Sequence, residues 1–287
     1  MNKYNFLSLR GLPWLLVMLS LIGCVSQQVN TKSSVMEYLY PNSSDTYETP
    51  SIPSFKLPLR VGVAFVPASR QSSSTHNFWT GRSYSGLISE AKKSEILEDV
   101  SENFRGLDFV SSIEVIPTTY LTPGGGFSNL SQIKTMYGID VIALVSYDQV
   151  QFTDEGMLSL SYWTIVGAYV ISGEKNDTNT LMDTVVYDIS SKKLLFRAPG
   201  TSQISGKSTP INLSEELRAD SIQGFEQAAV NMAANLKTQL ASFKKRIKEN
   251  PSQVQITHRE GYGGGGGIQW KFLLILAGLA ILKVAKG

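Results

Sequence analysis

Asp140-Val141-Ile142-Ala143-Leu144-Val145-Ser146-Tyr147-Asp148-Gln149 sets the architecture of this chain. Its unbroken apolar run from Val141 to Val145, rich in β-branched residues, marks the most buried-looking strand. Upstream, Leu59 to Val66 (LRVGVAFV) is a compact apolar strand stopped by Pro67, and Ser112 to Pro117 (SIEVIP) is a short one. Between them, Leu87 to Phe104 carries a weak helical stripe of Leu87, Ala91, Leu97 and Val100; Ser128 to Tyr137 is a short helix closed by Gly138. Downstream, Met157 to Val170 and Thr180 to Ile189 alternate as long strands. Ser190-Ser191-Lys192 supplies a turn into a short strand, Lys193 to Arg197. Last comes an amphipathic helix from Ser214 to Lys248. Its stripe of Phe225, Ala229, Met232, Leu236, Leu240, Phe243 and Ile247 recurs at spacings of 4, 3, 4, 4, 3 and 4, with Ser214 as N-cap and acids in the first turn. This order predicts an α/β (α+β) fold: one domain over 57–249, a mixed sheet with helices covering one face.

Composition narrows the function classes. The chain has 287 residues, enough to bury a substantial core, and one Cys, which excludes an internal disulfide; with two His it also excludes a closed zinc site. The formal charge is +2, but Lys3, Arg10, Lys271, Lys283 and Lys286 all lie in terminal segments without Asp or Glu. Removing them leaves 21 basic against 24 acidic side chains, so the body carries no net positive charge to point to nucleic acid.

The N-terminus is a targeting segment. Lys3 and Arg10 precede an apolar run from Leu12 to Ile22, the pattern of a secretory signal peptide over 1–23. It ends in Leu21-Ile22-Gly23-Cys24, which resembles the lipobox of bacterial lipoproteins. That resemblance implies cleavage between Gly23 and Cys24, acylation of Cys24, and firm anchoring in membrane lipid by several chains. Val25 and Ser26 follow where an Asp would resemble an inner-membrane retention signal, which favours the outer membrane. Residues 24–56, rich in Ser, Thr, Asn and Gln with Pro41, Pro50 and Pro53, are predicted to be a disordered tether.

At the other end, a polar and Gly-rich linker over 250–267 finishes in Gly263, Gly264, Gly265, Gly266 and Gly267. Ile268-Gln269-Trp270-Lys271 and an apolar run from Phe272 to Leu282 follow. A helix over 268–285 would reach roughly 27 Å, enough for a thin bilayer, with Trp270 at an interface and Lys283 and Lys286 on the cytoplasmic side. Residues 268–287 are therefore expected to be transmembrane. Gly run, apolar helix and basic end resemble the GlyGly-CTERM sorting tail, which implies processing by rhombosortase, a rhomboid-family intramembrane protease. The expected cleavage region is Gly263, Gly264, Gly265, Gly266 and Gly267, because glycines that cost about 1 kcal/mol each in a helix would expose the scissile carbonyl. The tail has two end lysines rather than an Arg cluster, and Lys271 interrupts its start. A GPI-anchored glycoprotein is the competing pattern, with sequons at Asn42, Asn129, Asn176 and Asn212; the lipobox and the terminal lysines argue against it.

Over roughly 100 residues, including Asp140 to Gln149 and Val186 to Leu194, the body is loosely similar to periplasmic lipoproteins of the curli-secretion-channel type. Lipobox, body and glycine tail together resemble the rhombotarget lipoprotein family. That resemblance implies a Gram-negative cell-envelope lipoprotein, with lipoprotein-processing enzymes and a rhomboid-family protease as partners.

The body offers no catalytic constellation. His76 and His258 have no carboxylate or Cys at a telling spacing, and no nucleophile elbow, Walker loop or H-E-x-x-H helix occurs. Ser89-Glu90-Ala91-Lys92 and Ser242-Phe243-Lys244-Lys245 match S-x-x-K without its companion motifs. Gly124 to Gly126 is expected to be a plain loop rather than an anion cradle; Asp148, Asp154 and Glu155 are expected in a solvated hairpin loop rather than on calcium. Lys244, Lys245, Arg246 and Lys248 are expected to be a solvated helix end, with anionic lipid or nucleic acid as the alternative contact. The expected function is a non-catalytic binding or assembly module without metal or cofactor. An oligomeric outer-membrane pore or secretion subunit, suggested by Tyr162, Trp163 and Tyr169, and an envelope hydrolase without a recognisable motif are the alternatives.

Overall fold

The computed structural model describes residues 27–41, 51–68, 75–76, 83–84, 88–155, 174–209 and 211–259. The expected signal peptide with its cleavage point at Gly23 and Cys24, and the strand expected over 157–170, lie outside the described residues. So do the expected cleavage glycines Gly263, Gly264, Gly265, Gly266 and Gly267 and the expected membrane span over 268–287. Among the described residues no helix is long and apolar enough to cross a membrane.

The described chain runs β1 (Gln27–Lys32), α1 (Val35–Leu39), β2 (Ser54–Leu57), β3 (Leu59–Phe65), β4 (Thr75–His76), β5 (Ser83–Tyr84), α2 (Glu90–Glu102), β6 (Val110–Val115), α3 (Gly126–Tyr137), β7 (Val141–Glu155), β8 (Glu174–Asp188), β9 (Lys193–Ser208), α4 (Leu213–Glu249) and β10 (Gln255–His258). The main sheet has the order β6-β3-β7-β8-β9. β3 is parallel to β6 and to the first third of β7; β8 and β9 are antiparallel, which makes the sheet mixed, as expected. β1 pairs antiparallel with the far part of β7, from Thr153 to Asp148, so β3 and β1 share one edge of β7 end to end.

Side chains of β7 alternate between two cores, as a strand's period of two demands. Val141, Ala143, Val145 and Tyr147 face α2 and α4, with Phe65, Ile96, Leu97, Met182, Phe225 and Met232. Ile142 and Leu144 face α1 and α3, with Val35, Tyr38, Leu130 and Ile133. Helices therefore cover both faces, not one. In α2 the buried positions are Lys93, Ile96, Leu97, Val100 and Ser101, whereas Ala91 of the expected stripe is exposed.

Two further corrections concern segments read as unstructured. The expected tether over 24–56 contributes β1, α1 and β2. β1 reads as polar linker because, of the buried positions Val29 and Thr31 and Ser33 just beyond the strand, only Val29 is apolar. The first part of the expected 250–267 linker forms β10, which pairs in parallel with β2. β9 extends to Ser208 rather than ending at Arg197. Pro199, Gly200 and Gly206 signal a loop in sequence. As β9 is an edge strand, Pro199 needs no ladder donor, and Gly200 sits where the α4 backbone crosses.

α4 is 37 residues long, about 55 Å, and lies along β8 and β9. Its N-cap is Asn212 rather than Ser214. The Asn212 Oδ1 accepts from the Thr209 amide at 2.7 Å and so closes the loop entering the helix.

Candidate functional site

The sheet face beneath α2 and α4 changes character along its length. In the middle it is packed solid: Tyr147 sits edge-on to Phe65 and to Phe225, with ring centroids 6.0 and 5.3 Å apart. Burial pushes the Tyr147 hydroxyl up to about 12, helped by the Glu90 charge, and it finds no hydrogen-bond partner among the described residues.

Towards the Glu155 end of β7 the interface is polar. Gln149 donates to Thr180 Oγ1 at 2.7 Å and to the Ser221 carbonyl at 3.1 Å, and accepts from Ser221 Oγ at 2.5 Å. Gln151 donates to Thr178 Oγ1 at 3.0 Å and to the Leu217 carbonyl at 2.8 Å. Asp220 of α4 closes this layer. Desolvation raises its carboxyl above the usual range, the nearby Glu216 adds to the rise, and its Oδ2 is buried without a partner among the described residues.

At the opposite end, where β3 and β7 begin, a cavity of about 350 Å³ lies between α4 and the sheet. Its floor is Val61, Val63, Val141, Ala143, Val145 and Val186; its walls are Val100 and Phe104 on one side and Leu236, Leu240, Phe243 and Ile247 of α4 on the other. Phe55, Leu57 and Ile256 of the β2–β10 pair close a third side. The lining contains two charged residues, Lys244 and Lys248, and two hydroxyls, Ser101 and Thr184. Thr184 Oγ1 contacts the Met232 sulfur at 2.9 Å, whereas Ser101, 2% exposed, has no hydrogen-bond partner for its Oγ among the described residues. Lys244 Nζ lies 3.9 Å from the Phe109 ring centroid, a cation–π contact that holds the ammonium beside the cavity.

The β2–β10 side is fixed by charge. Arg60 reaches Asp140 through Nη2 at 3.0 Å and Arg259, just after β10, through Nη2 at 2.8 Å. Burial works against the Asp140 carboxylate, but hydrogen bonds from the Arg60 side chain and amide and the charges of Arg60 and Arg259 hold its pKa below the usual value. The Arg259 amide also donates to the Leu57 carbonyl at 2.8 Å.

The structure separates most residues singled out in the sequence. His76 lies in the short β4 paired to β5, and His258 is exposed on β10. Asp148, Asp154 and Glu155 are strand residues of β7, not a loop, and the backbone positions of Asp148 and Asp154 are about 20 Å apart at strand rise, too far to share one cation. Among the described residues no group of three or more His, Cys, Asp or Glu is placed to hold a metal. Ser89 is the N-cap of α2, accepting from the Lys92 amide at 3.2 Å, while Lys92 pairs with Glu95 and Glu226. Ser242 donates to the Thr238 carbonyl at 3.0 Å. Gly124 and Gly126 have φ of 70° and 60° and let the chain pass close to Pro41 and the Leu39 carbonyl, a packing role. Sequon residues Asn129 and Asn176 are buried, Asn129 accepting from Tyr38 Oη at 2.8 Å. Cys24 and the five glycines from Gly263 to Gly267, on which the lipidation and sorting expectations rest, stand outside the described residues.

The basic end of α4 is not simply solvated. Arg246 donates to the Leu195 carbonyl at 2.7 Å, while Lys244 and Lys248 border the cavity. The stripe of Leu240, Phe243 and Ile247 and its lysines are visible in the sequence, but the void between them is not. A helical stripe looks the same whether it packs against a sheet or faces a cavity.

The chain is thus a single α/β domain with an apolar cavity at one end of a mixed sheet. No protein-family model matches it, and no curated protein does. Among solved structures it is similar to a neuraminyllactose-binding hemagglutinin homolog from Helicobacter pylori, at 9% identity over 71% of this chain and 97% of that one with a TM-score of 0.34. It is also similar to a PelC dodecamer from Paraburkholderia phytofirmans, at 10% identity over 72% and 99% with a TM-score of 0.25.

Proposed function

We propose that this chain is a Gram-negative cell-envelope lipoprotein of the rhombotarget type, acylated on Cys24 and cleaved by a rhombosortase within Gly263 to Gly267. Its body is a non-catalytic binding module. The observation that carries the binding reading is the cavity of about 350 Å³, within the range of small-molecule sites and lined almost wholly by apolar side chains. A void of that size lined by Val, Leu and Phe forfeits packing that a filled core would gain, which supports a ligand-binding purpose. The targeting reading is supported by the lipobox at Leu21 to Cys24 and the order of glycines, apolar run and lysines at the other end.

Intact mass of the membrane-extracted protein tests processing. Cells with a rhomboid-family protease should yield a chain shortened by about the last 20 residues and carrying the acyl mass, and protease-null cells the full tail; a tail retained in both sinks the sorting reading. Cys24→Ser should remove the acyl mass, and an acylated variant would contradict the lipobox. For the body, displacement of an apolar fluorophore from the full chain in amphipol should be weakened severalfold in Leu240→Trp, whose larger ring occupies part of the cavity. Equal binding by that variant would place the ligand elsewhere.

A further inference from the structure

We infer that the cavity's ligand is a single fatty acid of about twelve to fourteen carbons, with its hydrocarbon between α4 and the sheet and its carboxylate at Lys244 and Lys248. The inference rests on the reading of the cavity as the body's ligand site and adds the ligand's chemistry. Size sets the chain count. At roughly 30 Å³ for a water-sized volume, 350 Å³ holds about a dozen such groups. That is one acyl chain of about that many carbons and not the two tails of a phospholipid.

Charge sets the head. Lys244 and Lys248 are both cationic, both exposed, and the described lining holds no acid. One helical turn apart, their Cβ atoms are about 5–6 Å from each other, so two ammoniums can converge on one carboxylate. Their aliphatic stems continue the apolar wall, and the Lys244 ammonium rests on the Phe109 ring at the cavity's edge, the arrangement an amphiphile's boundary calls for.

Position sets the source. Ile256 of β10 lines the cavity, and the chain ends its described course at Arg259, three residues on. Residues 260–267 extended reach at most about 28 Å before the apolar run at 268. While that tail is in a bilayer, the cavity is held within that distance of the membrane surface, where fatty acids partition.

The test is photolabelling of the full chain in amphipol with a diazirine-bearing myristic acid and with the matched fatty alcohol. The acid should label peptides spanning Phe104 to Ile113 and Leu236 to Ile247, at least fivefold more than the alcohol, and excess myristate should compete. Lys244→Glu with Lys248→Glu, both exposed and remote from the packed core, should cut acid labelling at least fivefold and leave alcohol labelling unchanged. Leu240→Trp should cut both. If acid and alcohol label the cavity equally and charge reversal changes neither, the carboxylate assignment is overturned while the cavity remains a ligand site. If neither labels those peptides, the cavity reading fails with it. If they label only after cleavage in Gly263 to Gly267 has removed the apolar tail, the occupant is the chain's own tail and the fatty-acid assignment is overturned.

Discussion

Substituting Gly200 by Ala probes the contact that holds α4 on the sheet. A Cβ built there would stand 2.6 Å from Met232 Cβ and closer still to the Ala228 carbonyl oxygen and the Met232 amide nitrogen. Ordinary carbon contacts sit at about 3.5–4.0 Å, so β9 and α4 must separate by about 1 Å. Two of the three atoms are backbone, so no rotamer change relieves the overlap. Overpacking of this kind costs typically about 1–3 kcal/mol; here the upper end applies, offset by about 0.5–1 kcal/mol from the stiffer unfolded chain. The net is about 2 kcal/mol, which for a domain of this size lowers Tm by about 4–8 °C. Gly106→Ala is the control, because its Cβ would meet nothing within 4 Å, and it should stay within about 0.5 kcal/mol of the parent. Thermal unfolding of both variants is followed by circular dichroism and calorimetry. If Gly200→Ala is as stable as Gly106→Ala, α4 does not approach β9 as described, and the cavity it walls loses its geometry too.

Electrostatics and the unpaired groups set three further outcomes. Asp220 has its pKa raised in the fold by desolvation, so it favours folding below its unfolded pKa and opposes it as pH rises through the folded value. Asp220→Asn should therefore stabilise the protein by about 1 kcal/mol at pH 7 in chemical denaturation, and the gain should vanish by about pH 4; a gain that persists in acid would refute the cause. Asp140 has the opposite sign: its lowered pKa stabilises the fold above about pH 4 and the contribution is lost as pH falls through the folded value. Asp140→Ala should cost about 1–2 kcal/mol at pH 7 and speed amide exchange in β10, whose end Arg259 ties to the sheet; unchanged exchange would refute the anchoring role. Ser101→Ala removes a buried hydroxyl without a described partner and should be neutral or stabilising by up to about 1 kcal/mol in the same denaturation assay, so a clear loss would reveal a partner.

The legibility of the fold in the sequence follows how each segment is buried. β7 is readable because Val141 to Val145 are buried on both faces and apolar throughout. α3 is readable from its C-cap, since Gly138 takes the left-handed φ of 65° that ends the helix. The far half of the sheet is not. Its inward positions are Gln149, Gln151, Thr178 and Thr180, which hydrogen-bond to one another and to the α4 backbone, so period-two hydrophobicity fades there. β1 pairs with that same half and is hidden for the same reason. For the site, the residues are visible and their arrangement is not: Leu57 and Ile256 reach the cavity through a parallel pair joining segments about 200 residues apart, which no local pattern encodes.

The pairing of β1 also fixes how the body can stand on a membrane. Gln27 is opposite Thr153, near the C-terminal end of β7, only three residues after Cys24. Arg259 donates to the carbonyl of Leu57, two residues before β3, which runs beside the start of β7 at Val141. The two exits are thus separated by about twelve strand residues, roughly 40 Å. A lipid on Cys24 leaves the body almost no leash, and the stretch after Arg259 is shorter than that separation. A chain held at both ends in one leaflet therefore cannot stand upright, and its long strands tilt towards the surface. Were Cys24 acylated, cutting at the glycines would free the cavity end to swing outward about the N-terminal end, changing the protein's posture without altering its fold.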